Sequence, residues 1–234
     1  AVVLLHNRFY SDGHSARRIH DEVGRHYGLP RVCMGDVIYP RIRSGELQAE
    51  EVTPDGLHPN DRGHDLLAEI IRSKLEGIYG EYKERNITGK ITGELPAPLT
   101  LNRYELPRRF RNDTIRPVGC IGFTTDHTPQ NVITETFRKG WTALQAGDEI
   151  DVEGRCIALQ YRRTIHKPAP KALAYVDGDR EHGIILDGNF DEDWGDCLAL
   201  QVLLEEKTPG RHRVTVRITE AEEAVTPFYL VSVL

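Results

Sequence analysis

The stretch Asp55-Gly56-Leu57-His58-Pro59-Asn60-Asp61-Arg62-Gly63-His64 opens onto a run in which Leu66, Leu67, Ile70, Ile71, Leu75 and Ile78 recur at three- and four-residue steps. That recurrence predicts an amphipathic helix, with Asn60 or Asp61 as its N-cap. Pro59 stiffens the entry and fixes the direction in which His58 leaves the chain. An Asp and a His three residues apart in such a loop can fold toward each other. A serine hydrolase needs this pairing, because an imidazole must take the hydroxyl proton while a carboxylate holds its other nitrogen in the right tautomer. The bland alternative makes Asp55 a turn residue and His58 a surface histidine beside a helix start.

Upstream, Ala1-Val2-Val3-Leu4-Leu5 is a continuous apolar run suited to a strand covered on both faces, as in a parallel sheet. It has neither the charged n-region nor the length of a signal peptide. A polar loop from His6 to Gly13 follows. Ala16, Ile19, Val23 and Tyr27 then mark one helical face, closed by Gly28 and Pro30. Arg31-Val32-Cys33-Met34 reads as a second strand, and Asp36 to Gly45 as a short irregular helix interrupted by Pro40. Strand and helix alternate, as in an α/β layer structure.

Beyond about Arg85 the character changes. Residues 86–103 are rich in Gly, Pro and Thr and read as a linker between a first domain, 1–85, and a second, 104–234. In the second domain helical periodicity gives way to short β-like runs: Val118–Phe123, Val132–Phe137, Glu149–Val152, Cys156–Tyr161, Ala172–Val176, Ile184–Leu186, Leu198–Leu204, Arg213–Ile218 and Phe228–Val233. Asp177-Gly178-Asp179, Asp187-Gly188-Asn189 and Pro209-Gly210 punctuate them. The pattern predicts an antiparallel β-sandwich of jelly-roll type.

The 234 residues carry 39% hydrophobic and 28% charged side chains and a net charge of -6. There is no basic excess to draw nucleic acid or an anionic lipid surface. No apolar run approaches the ~20 residues that span a bilayer. Cys33, Cys120, Cys156 and Cys197 are widely spaced and read as reduced thiols, which favours a cytoplasmic location.

The segment 55–64, together with Tyr27-Gly28-Leu29-Pro30 and Val32-Cys33-Met34, resembles the SGNH/GDSL hydrolase family over about residues 1–84. The resemblance implies a flavodoxin-like three-layer α/β domain of which this chain holds the C-terminal part. It further implies a serine esterase acting on small acyl esters, often acetyl groups on carbohydrates, with His58 as general base and Asp55 orienting it. No metal or organic cofactor is implied. The family places its nucleophile in a Gly-Asp-Ser block and completes the oxyanion hole with a glycine and an asparagine from two further blocks. None of these occurs here, so the chain alone is expected to be inactive. A companion chain or segment is expected to supply the missing half-domain. Ser11 and Ser15 read as helix-capping residues rather than nucleophiles. The alternative function is a carbohydrate-binding or interaction module attached to a hydrolase remnant.

Other features read as structural. His14, His20 and His26 fall on different faces and suit solvent rather than a metal. Asp187, Asn189, Asp191 and Asp193 lack the glycine and glutamate of an EF-hand and read as a solvated turn. Trp141 and Trp194 are expected in the sandwich core, with a sugar-stacking platform as the alternative. Arg162, Arg163 and Lys167 read as a solvated basic edge.

Overall fold

The computed structural model describes residues 2–84, 94–101, 108–154, 157–205 and 210–234. Most of the expected linker, together with Cys156 and Pro209, lies outside the described residues. The chain divides into two compact units, Ala1–Asn102 and Arg103–Leu234.

In the first unit β1 (Leu4–His6) runs parallel to β2 (Arg31–Cys33), pairing Leu5 with Val32, and α1 (Arg17–His26) connects them. The α2 helix (Met34–Arg43) starts two residues earlier than the sequence pattern places it and carries Pro40 inside. Pro40 lacks the N–H that would complete the helical ladder, yet the helix runs on past it and ends at Arg43, ahead of Gly45 with its left-handed φ of +77°. The long helix α3 spans Asp61–Glu84. A small core gathers Tyr10, Met34, Ile38, Leu47 and Val52, against which Leu66, Leu67 and Ile70 of α3 pack. The apolar stripe of α1 stays uncovered by this core, with Ile19 60% exposed. Periodicity identified the helix and said nothing of what lies against it.

The start of α3 is fixed by close contact. Asn60 accepts the Gly63 N–H through Oδ1 at 3.0 Å and donates its own N–H to the Val52 carbonyl at 3.0 Å. A Cβ at Gly63 would sit 2.2 Å from that same carbonyl oxygen. Only glycine lets the first helical turn press so closely on the loop before it.

The second unit contains two five-stranded sheets. One is ordered β10-β7-β12-β5-β4 and the other β3-β6-β11-β8-β9. Their ranges are β3 Gly119–Ile121, β4 Thr124–Thr125, β5 Trp141–Ala143, β6 Glu149–Gly154, β7 Ile157–Arg163, β8 Lys171–Val176, β9 Ile184–Asp187, β10 Cys197–Leu204, β11 His212–Glu220 and β12 Phe228–Val233. All pairings between the named strands of the two sheets are antiparallel. Leu159 and Leu230 of one sheet share a core with Ile150, Val214 and Ile218 of the other, which makes the unit a β-sandwich.

Two expectations are corrected. Val132–Phe137 is a turn region rather than a strand: the Glu135 N–H bonds the Val132 carbonyl, and Ile133 is almost fully exposed. The nearby strand is instead Trp141–Ala143, too short to display a period. Trp141 is core at 2% exposure, but Trp194 is 66% exposed, standing edge-on to Phe190 at 5.0 Å.

Cys33, Cys120 and Cys197 are free thiols. Among the described residues no helix is long and apolar enough to cross a membrane.

Gly63→Ala is expected to lower stability by about 1–3 kcal/mol through overpacking against the Val52 carbonyl. A lower urea midpoint at unchanged slope checks this; an unshifted midpoint contradicts it.

Candidate functional site

The loop from Val52 to Asn60 is pinned at both ends. Val52 and Thr53 are buried, and Gly56 takes a φ of +83°, a left-handed turn suited to glycine. Two bonds tie the loop to the segment leaving β1. The Asn7 side-chain amide donates to the Leu57 carbonyl at 2.8 Å, and the Tyr10 N–H donates to the Gly56 carbonyl at 2.7 Å. His58 therefore stands beyond the carboxyl end of a parallel strand, where α/β sheets commonly place their ligands.

Within the turn the Asp55 carboxylate collects donors. Oδ1 accepts the Leu57 N–H at 3.0 Å and the His58 N–H at 2.8 Å, and the Thr53 hydroxyl at 3.3 Å. Oδ2 lies 2.6 Å from His58 Nδ1. Nδ1 therefore serves as the donor toward the carboxylate, leaving Nε2 as the basic nitrogen of a neutral ring. The His58 side chain is 75% exposed, and its Nε2 has no hydrogen-bond partner among the described residues. The bond from the His58 ring, with those from the His58 and Leu57 backbone, holds the Asp55 carboxyl well below the usual carboxylate range. The arrangement can present a base to a nearby hydroxyl and stabilise the imidazolium that results.

Other singled-out residues lie elsewhere. Ser15 Oγ accepts the Arg17 N–H at 3.4 Å at the start of α1, and Ser11 sits in an exposed turn. His14 and His20 are exposed and His26 is half-buried. Asp187 Oδ1 accepts both the backbone and the side-chain N–H of Asn189, at 2.9 and 2.7 Å, closing a turn. Among the described residues no group of three or more acidic, histidine or cysteine side chains is placed to hold a metal. Arg162, expected on a solvated edge, has a side chain only 17% exposed.

Sequence patterns do not point to His6, Asn7 or Arg8 at the exit of β1. His6 is buried, stacks on His20 at 5.6 Å between ring centres, and keeps Nε2 3.4 Å from an Asp21 oxygen. Burial lowers its pKa, partly offset by Asp21. Arg8 crosses the face of Tyr39 at 5.1 Å. The polar stretch His6–Gly13 shows only a loop; its partners lie up to fifty residues away.

The molecule also contains a second pair of the same spacing. His182 Nδ1 lies 2.8 Å from Asp179 Oδ2, in the hairpin between β8 and β9. Asp-x-x-His therefore folds into this contact wherever a turn permits, and position distinguishes the two pairs.

An exposed imidazole–carboxylate pair thus stands beyond a parallel strand, in a chain that also carries a β-sandwich. The chain is similar over its whole length to two solved structures of a two-domain esterase (CEX) active on acetylated mannans, one of them co-crystallised with mannopentaose. Identity is 44% in both, with TM-scores of 0.87 and 0.88; all of this chain is covered, against 61% and 62% of theirs. The chain thus spans about three fifths of the length of those esterases. No protein-family model and no curated protein matches it.

Because the Asp55 pKa is lowered on folding from an ordinary 3.8, its stabilising contribution is fully present above that value and is lost on acidification below it. The Asp55 carboxyl carbon is expected to show no NMR titration step from about pH 6 down to about pH 3, whereas a midpoint near the ordinary value would mean the turn does not hold in solution.

Proposed function

We propose that residues 1–85 form the C-terminal part of a flavodoxin-like SGNH hydrolase domain, joined by a linker at 86–103 to a jelly-roll-like sandwich, 104–234, that assists carbohydrate binding. The complete protein is a serine esterase that removes acetyl groups from a carbohydrate. One observation carries the reading: the 2.6 Å bond between Asp55 Oδ2 and His58 Nδ1 leaves Nε2 exposed on a turn tied to the exit of a parallel strand. The 44% identity to an esterase active on acetylated mannans supports the reaction class and an acetylated saccharide as substrate.

In this reading the nucleophilic serine and the oxyanion-hole groups come from residues outside these 234. His58 Nε2 takes the serine proton as the hydroxyl attacks the acetyl carbonyl. It returns that proton to the departing sugar alkoxide, leaving an acetyl-enzyme. Water, deprotonated by the same nitrogen, then releases acetate. Asp55 keeps the Nδ1–H tautomer and stabilises the imidazolium while remaining ionised, which its depressed pKa favours. No cofactor takes part.

His58→Ala in the full-length protein is expected to lower kcat for p-nitrophenyl acetate by at least about a thousandfold, with little change in KM. Undiminished turnover would remove His58 from the mechanism and leave the binding-module reading in its place.

A further inference from the structure

The outer face of the sheet β10-β7-β12-β5-β4 carries an open cleft of about 700 Å³. Trp141 and Ala143 of β5, Tyr161 of β7, and Phe228 and Leu230 of β12 lie in the core, so Thr142, Arg162 and Tyr229 beside them face the cleft. A second hollow of about 330 Å³, reaching Thr124 and Gln145, shares Thr142 and Pro227 with the first. The two form one groove, running from Asp196 at the start of β10 to Thr124 of β4. Four inter-strand steps of about 4.8 Å make that roughly 19 Å, enough for more than one sugar ring.

The wall offers both donors and acceptors. Thr125, His127, Thr128 and Thr142 line it. Arg162 Nη2 donates to the Thr226 hydroxyl at 2.8 Å and to the Pro227 carbonyl at 3.0 Å, which fixes the guanidinium, and its buried Nε is closed to the cleft. Thr226 accepts that bond and donates to no group among the described residues, so its own O–H is open to a ligand. Asp196 Oδ1 is taken by the Thr164 hydroxyl at 2.6 Å and the Ile165 N–H at 3.3 Å. Its Oδ2 lies 3.8 Å from Arg162 Nε, beyond hydrogen-bond reach, and accepts no bond among the described residues. An acceptor and a donor thus flank one guanidinium. Phe137, half-buried and set at 71° to the Tyr229 ring, gives the groove an apolar surface near them.

The charges of the wall are already matched. Glu135 faces Arg138 at 3.9 Å, and Asp196 faces Arg162 at 3.8 Å. Asp126 adds a further carboxylate, accepting from the Tyr229 hydroxyl and from the Thr128 N–H at 2.9 Å. Neither guanidinium is spare to neutralise an acidic ligand.

We infer that this groove is the saccharide-binding surface of the sandwich and takes a neutral oligosaccharide laid across the strands. The inference rests on the carbohydrate-binding role proposed above for its ligand class, and adds the place and the charge. A sugar hydroxyl both donates and accepts. One hydroxyl gives its proton to Asp196 Oδ2 while a neighbour receives the Thr226 O–H, and the C–H face of the ring lies on Phe137. An acidic sugar would set its carboxylate against Asp126 and Asp196 with no free cation to offset the repulsion.

Calorimetric titration of this 234-residue chain with mannopentaose, and with a galacturonic acid oligosaccharide of the same length, tests the inference. Mannopentaose is expected to bind, and the acidic sugar to bind at least about tenfold more weakly. Thr226→Val, which removes the donor at nearly constant shape, is expected to weaken mannopentaose binding about fivefold. Phe137→Ala is expected to weaken it at least about tenfold. An unchanged thermal midpoint shows that a variant is folded; should Phe137→Ala fail to fold, the milder Thr226→Val decides. Undiminished mannopentaose affinity in a folded variant, or equal affinity for the acidic sugar, would overturn the groove assignment while leaving carbohydrate binding to another surface. No binding of either sugar would remove the groove and the binding role together. The titration reads no turnover, so none of these results bears on His58.

Discussion

Within four residues the Asp55 carboxylate accepts the Leu57 and His58 backbone N–H groups and meets the His58 ring, and each bond removes freedom from the same imidazole. The backbone bonds close the turn and the ring bond orients the side chain that leaves it. The same three donors explain why the carboxyl resists protonation, since each favours its charged form. One group thus shapes the turn, aims the ring and supplies the negative charge opposite it.

That turn would be of little use on a mobile loop. A base must sit within hydrogen-bond reach of the proton it takes, and displacement by an ångström is expensive in rate. The first unit meets this requirement with backbone contacts. Val52 is anchored in the core, its carbonyl receives Asn60, and Gly63 admits the helix start against it. From the other side, Asn7 and Tyr10 hold Leu57 and Gly56 to the exit of β1. His58 is bracketed between these two sets of contacts.

What could be read from the sequence follows from how local each interaction is. The Asp55–His58 contact spans three residues, and turn chemistry alone suggests it. The Asn7–Leu57 bond spans fifty, and no spacing rule marks it. Gly63 looks like an ordinary helix residue until its distance to Val52 is measured. In the sandwich, β11 alternates over nine residues and β7 and β10 are apolar-rich runs of seven and eight, so all three declare themselves, whereas β5 has three residues and no period to detect. Val132–Phe137 has the composition of a strand but no neighbouring strand to pair with. Arg162 lies in a charged run that suggests solvent, yet the loop bearing Phe137 covers its guanidinium.

The pair Asp179–His182 sharpens the physical point. Its ring contact is 2.8 Å against 2.6 Å, and its histidine is equally open to solvent. Judged by the pair alone, the two would have equal standing. They differ in what stands behind them. Asp179 and His182 occupy the tip of a hairpin, at the end of two strands, and an exposed hairpin tip is among the more mobile parts of a fold. Asp55 and His58 are held from both sides by bonds that reach the core and the start of the unit. Catalysis by a histidine requires a fixed direction as well as a suitable partner, and of the two pairs only Asp55–His58 has a backbone that supplies it.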